Sequence, residues 1–228
     1  MIPLVLLPGM MCDARLFAPQ IAALSAGRTL VVPSLTGADT MAGLAEAVLA
    51  AAPPRFALLG LSMGGILAME IVARAPGRVE RLALLDTNPF AEAPEATAAR
   101  APGMARVAAG ELAAVLDEIV PRYFPAPRPD LAALCRAMGL ALGPAAFLSQ
   151  SRALIGRADR QRALAGFSGP ALVLTGEVDI VCPMDRHERM HALMPASRLA
   201  VIPGAGHLPT LEAPDPTTDE ITRWLSRT

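Results

Sequence analysis

The chain has 228 residues, 53% of them hydrophobic, and its 20 basic residues against 21 acidic ones leave a formal charge of −1. Every basic residue is an arginine, so chemistry that needs a Schiff-base lysine or a phosphate-loop lysine is excluded. The even charge argues against nucleic acid or an anionic membrane as partner. Three widely spaced cysteines, Cys12, Cys135 and Cys182, make neither a disulfide framework nor a zinc knuckle, which fits a reducing, cytoplasmic setting.

Taken in chain order, the first apolar run is PLVLLPG. It lacks a basic leader and a cleavage site, and no apolar run reaches the roughly 18 residues of a membrane helix, so it is expected to be a buried strand. TLVVPS, FALLGLS, RLALLDT, PALVLTGEVD and RLAVIPG repeat the pattern, each ending in turn-forming residues, and predict six strands in all. Segments with apolar residues at helical spacing lie between most of them, at 41–52, 64–75 and 185–194. Strand and helix in alternation predict an α/β fold, a mostly parallel sheet of about six strands covered by helices on both faces. The alternation breaks between Asn88 and about Ser168, where alanine-, proline- and arginine-rich sequence shows helical pieces near 105–120, 130–142 and 145–165. This predicts a helical cap at 88–168 inserted into a core of 1–87 and 169–228. A last helix near 216–226 carries the only tryptophan, Trp224.

Ligands of a parallel sheet bind beyond the carboxyl ends of its strands. Gly60-Leu61-Ser62-Met63-Gly64 follows one strand and opens a helix, the context of a nucleophile elbow; a tight phosphate-binding turn is the plainer alternative. Asp179 follows a later strand and His207 the last one. A serine hydroxyl needs an imidazole to take its proton, and the imidazole needs a carboxylate to fix its tautomer, so serine, acid and histidine in this order point to a catalytic triad. Asp86, also at a strand end, is the alternative acid. A competing signal is HERMH at 187–191, which fits the H-E-x-x-H zinc pattern. Its helix falls where the fold supplies an ordinary sheet-covering helix, and a third ligand would have to come from His207 or Glu212. His187 and His191 are therefore expected to border an apolar stripe packed on the sheet, and no metal or other cofactor is expected.

The stretches LVLLPGMMCDARLF, FALLGLSMGG, LVLTGEVDIVCP and VIPGAGHLPTLEAP together resemble the α/β-hydrolase superfamily, in particular small bacterial esterases such as pimeloyl-carrier-protein methyl ester esterases and 3-oxoadipate enol-lactonases. The resemblance runs nearly end to end and implies an oxyanion hole made by the Met10 and Met63 amides. Three departures accompany it. Pro8-Gly9 stands where many relatives have His-Gly, the antiparallel hairpin that usually precedes the first strand is expected to be absent, and VVPSLTGADT replaces an aspartate and arginine-glycine motif. The expected function is that of a serine hydrolase acting on a small-molecule ester, lactone or thioester through an acyl-enzyme. Carbon–carbon hydrolysis or elimination by the same triad, or a ligand receptor on this fold, are the alternatives. Met104, Tyr123, Phe124, Met138, Phe147 and Leu154 are candidate pocket walls from the cap, and Arg122 and Arg152 candidate anion contacts.

Overall fold

The computed structural model describes residues 1–226. Six strands form one sheet: β1 (Leu4–Leu7), β2 (Leu30–Val31), β3 (Phe56–Leu61), β4 (Val79–Leu85), β5 (Ala171–Gly176) and β6 (Arg198–Ile202). Their order is β2-β1-β3-β4-β5-β6, and all five pairings are parallel. Every residue of β1, β3 and β5 is buried, as expected of unbroken apolar runs covered on both faces. At the edge, β2 shrinks to two residues, because Pro33 has no amide to extend the ladder.

Helices α1 (Ala18–Leu24), α2 (Met41–Ala51) and α3 (Met63–Arg74) belong to the first half of the chain. Between β4 and β5 lie α4 (Pro94–Ala108), α5 (Leu112–Ile119), α6 (Pro129–Ile155) and α7 (Gln161–Ala165). The chain ends with α8 (Met184–Leu193), α9 (Pro209–Glu212) and α10 (Pro214–Ser226). One face of the sheet packs on α2, α3 and α8 through Leu44, Val48, Leu67, Ile71 and Met190. The other packs on Leu16 and Phe17 and on Ile221 and Trp224 of α10, whose indole Nε1 donates to the Pro170 carbonyl at 3.1 Å.

The segment between β4 and β5 differs in detail from the expected helices. The piece near 105–120 is two helices, split at Gly110, whose φ of +96° suits glycine alone. α6 is broken at Gly143, φ +82°, beside Pro144. Contrary to the expectation drawn from apolar runs, α6 is long and apolar enough to cross a membrane. It is nonetheless kinked, and it commits Cys135, Met138, Phe147 and Leu154 to apolar clusters with the rest of the chain. Phe147 joins Val107, Leu112, Val115 and Leu116 in a cluster that also takes in Met11 of the loop after β1, so these helices are anchored on the edge of the site.

Candidate active site

The turn from β3 to α3 is built by two close approaches. A Cβ at Gly60 would collide with the Gly64 carbonyl, and one at Gly64 with the Leu7 carbonyl, so neither position tolerates a side chain. Ser62 sits between them at φ 54°, ψ −117°, a conformation costing about 1–3 kcal/mol that surrounding contacts must hold. Its amide donates to Leu85 O at 2.9 Å, and its carbonyl accepts the Thr87 hydroxyl at 2.7 Å. The hydroxyl is thereby thrust off the sheet at the amino end of α3.

His207 Nε2 lies 3.0 Å from Ser62 Oγ, and Nδ1 lies 2.9 Å from Asp179 Oδ2. The other Asp179 oxygen accepts the Val181 and Cys182 amides at 2.7 and 3.1 Å. Burial pushes the Asp179 pKa up, but His207 and those two amides more than offset it, leaving the carboxyl below its ordinary value. An ionised Asp179 makes Nδ1 the donor and leaves Nε2 to accept the serine proton. The loop carrying His207 is itself clamped. Glu212 accepts the Gly206 amide on one oxygen at 2.9 Å and the Leu208 amide on the other at 2.8 Å, while His207 N donates to Tyr123 O at 2.9 Å.

Asp86, the alternative acid, makes no bond to His207. It is fully buried at φ 44°, where Oδ1 accepts the Gly176 amide at 2.8 Å, tying the end of β4 to the end of β5. Burial and then the charge of Asp179 raise its pKa well above the ordinary value.

The Met63 amide opens α3, where no intrahelical acceptor exists and the helix dipole favours negative charge. Met10 lines the same cavity as Ser62. The loop after β1 is braced by a glutamine from α6. Gln150 is 1% exposed; its Oε1 accepts the amide of Met11, itself at φ 56°, at 2.9 Å, and its Nε2 donates to Leu35 O at 3.0 Å.

A cavity of about 310 Å³ opens on Ser62 and His207. Of the expected walls Tyr123 and Leu154 line it, Tyr123 with its ring centroid 5.5 Å from that of His207. Phe124, Met138 and Phe147 do not: the first two are spent in the core under the His207 loop, and Phe147 in the cluster of α4 to α6. Met104 packs there too. Nor do the expected arginines contribute, since Arg152 pairs with Asp39 at 3.2 Å on the surface and Arg122 is exposed. The arginines that line the cavity are Arg100, Arg157 and Arg186, with Glu92 among them.

Met190 and Met194 beside the HERMH histidines are buried in the core, and the histidines are hydrogen-bonded as well. His187 is fully buried; its Nδ1 donates to Pro183 O at 3.3 Å and its Nε2 accepts the Thr87 amide at 3.2 Å, so both nitrogens are committed. Burial lowers its pKa to about 4. His191 Nδ1 lies 2.7 Å from Ser197 Oγ. The donors that do cluster at metal-binding spacing among the described residues are Asp179, Cys182 and His207, within 4.8 Å of one another. A metal there would have to take His207 Nδ1 or Nε2 from Asp179 or Ser62.

The model of the family described as "Alpha/beta hydrolase family" matches residues 4–220. The chain belongs to the alpha/beta hydrolase family. Among curated relatives of this hydrolase, the pimeloyl-[acyl-carrier protein] methyl ester esterase of Aromatoleum aromaticum is 28% identical, with 93% of each chain covered. Among solved structures, a thermophilic esterase from Thermogutta terrifontis superposes with a TM-score of 0.91 at 28% identity, covering 99% of this chain and 89% of the other. The enol-lactonase from Burkholderia xenovorans, at 24% identity and a TM-score of 0.89 over 100% of this chain and 92% of that one, shares the fold.

Proposed function

We propose that this hydrolase cleaves small carboxylic esters through an acyl-enzyme. The observation that carries the reading is the continuous hydrogen-bonded line from Asp179 through His207 to Ser62, ending in a cavity large enough for a small ester. The esterase named among its relatives supports the same class of reaction. Ser62 Oγ attacks the ester carbonyl as His207 Nε2 takes its proton, and Asp179 holds the resulting imidazolium. The Met10 and Met63 amides hold the oxyanion of the tetrahedral intermediate, with the amino end of α3 behind them. Collapse transfers the proton from His207 to the departing alcohol. Water, deprotonated by His207, then attacks the acyl-Ser62, the acyl–Oγ bond breaks with the proton passing from His207 back to Ser62 Oγ, and the carboxylic acid leaves. A reducing, cytoplasmic setting fits three buried free thiols.

The test is labelling with a fluorophosphonate. Stoichiometric modification mapped to Ser62 by mass spectrometry, absent in Ser62→Ala, is the expected result. A folded wild-type protein that takes no label would sink the reading.

A further inference from the structure

Three guanidinium groups and one carboxylate line the cavity above Ser62: Arg100 of α4, Arg157 just after α6, Arg186 of α8, and Glu92 from the loop after β4. The Glu92 side chain is 1% exposed and that of Arg157 8%. Glu92 divides its two oxygens between two arginines. Oε1 accepts Arg100 Nε at 2.6 Å, and Oε2 pairs with Arg157 Nη1. Arg157 Nε is turned away to the Phe90 carbonyl at 3.0 Å. Arg186 lies over the Phe90 ring at 5.4 Å, and its carboxylate neighbour is Asp185, 3.4 Å away with a side chain 71% exposed, a pair that solvent screens to little.

One buried carboxylate is therefore shared by two guanidiniums and offsets only one of their charges, and a third stands beside them with no buried carboxylate partner among the described residues. The surplus is felt inside the group. Burial lowers the Arg157 pKa, Glu92 opposes that, and the neighbouring Arg100 and Arg186 lower it further. Each guanidinium carries five N–H donors in a planar fork, of which these contacts use few. A concave wall with excess positive charge and spare forked donors suits a planar, bidentate anion. The guanidiniums share one cavity with the serine, so an anion bound there sits within reach of an ester at Ser62.

We propose that Arg100, Arg157 and Arg186, held in place by Glu92, form a carboxylate subsite, so that the preferred substrates are short esters carrying a second, ionised carboxylate. The substrate form rests on the ester-hydrolase reading; the anion site does not. Two measurements keep them apart. The first compares kcat/KM for monomethyl glutarate and O-acetylglycolate, which place the charge on the acyl and alcohol sides, with methyl butyrate and methyl acetate. The second measures glutarate binding to Ser62→Ala by calorimetry, where no turnover is needed.

At least one charged ester is expected to exceed its neutral comparator by about tenfold or more, the worth of one charge-assisted contact. That ratio should fall about tenfold in Arg186→Gln and in Arg100→Gln, and stay put in the surface control Arg152→Gln. Glutarate should bind Ser62→Ala and bind less when Arg186→Gln is added. Neutral esters turned over with no preference for charge, or a preference that both arginine variants keep, would overturn the subsite and leave the esterase reading standing. Glutarate binding with no turnover of any ester by wild type would do the reverse. Absence of glutarate binding to folded Ser62→Ala overturns the subsite whatever the turnover shows.

Discussion

The chemistry of single residues gives the sharpest expectations. Ser62→Ala removes the proposed nucleophile without touching the backbone contacts that hold the elbow, since those use its amide and carbonyl. Ester turnover should drop by about 10⁴-fold or more while thermal stability holds or rises slightly. Asp179→Asn keeps the shape but can no longer fix Nδ1 of His207 as the donor. A fall of about 10⁴-fold in kcat with little change in KM is expected from steady-state kinetics on a simple ester. A fall of less than tenfold would mean that another group orients His207, and Asp86, buried behind the strand ends and bonded to Gly176, would be the one to examine.

At the level of elements, the loop after β1 depends on α6, a helix far from it in sequence. Gln150 reaches Met11 from 139 positions away, and both its ends are used, one on the Met11 amide and one on Leu35 O. Gln150→Met keeps the volume and loses both bonds. It should leave Met11 without support at its positive φ and let the Met10 amide drift from the oxyanion, costing about tenfold or more in kcat with a smaller effect on KM. An equal loss in KM and none in kcat would assign Gln150 to packing alone. The example also marks where the sequence is legible. Strands that are buried on both faces announce themselves as unbroken apolar runs, and the elbow announces itself because Gly60 and Gly64 admit no alternative. Gln150, Glu212 and the arginines of the cavity carry no such signal. They are polar residues on or beside amphipathic helices, and only the packing of α4, α6 and α8 over the sheet decides which of them face inward. The same reason explains why Phe124, Met138 and Phe147 read as pocket walls and are core, whereas Arg100, Arg157 and Arg186 were indistinguishable from solvated arginines.

For the molecule as a whole, two buried groups that the reaction does not use should shape stability against pH from opposite sides. His187 is held neutral with a pKa near 4, below its ordinary value of about 6.5. As pH falls through that window the unfolded chain takes up a proton that the folded one refuses, so stability is complete above about 6.5 and is lost toward 4, by on the order of 3 kcal/mol. Asp86 is raised instead, by burial and the nearby Asp179 charge. Above about 3.8 the unfolded chain releases a proton that the folded chain keeps, so Asp86 costs stability as pH climbs, at about 1.4 kcal/mol per pH unit until its folded pKa is reached. Urea unfolding at several pH values separates the two. Asp86→Asn retains an oxygen for the Gly176 amide and has no proton to lose, so its stability relative to wild type should grow from pH 5 to pH 8. His187→Gln can still accept from the Thr87 amide, and its deficit relative to wild type should shrink as pH falls from 6.5 to 4. A difference between Asp86→Asn and wild type that is flat across pH 5–8 would mean that Asp86 is ionised in the folded protein. The two carboxylates at the ends of β4 and β5 would then both be charged behind His207, and the support of the catalytic acid would have to be rethought from that pair outward.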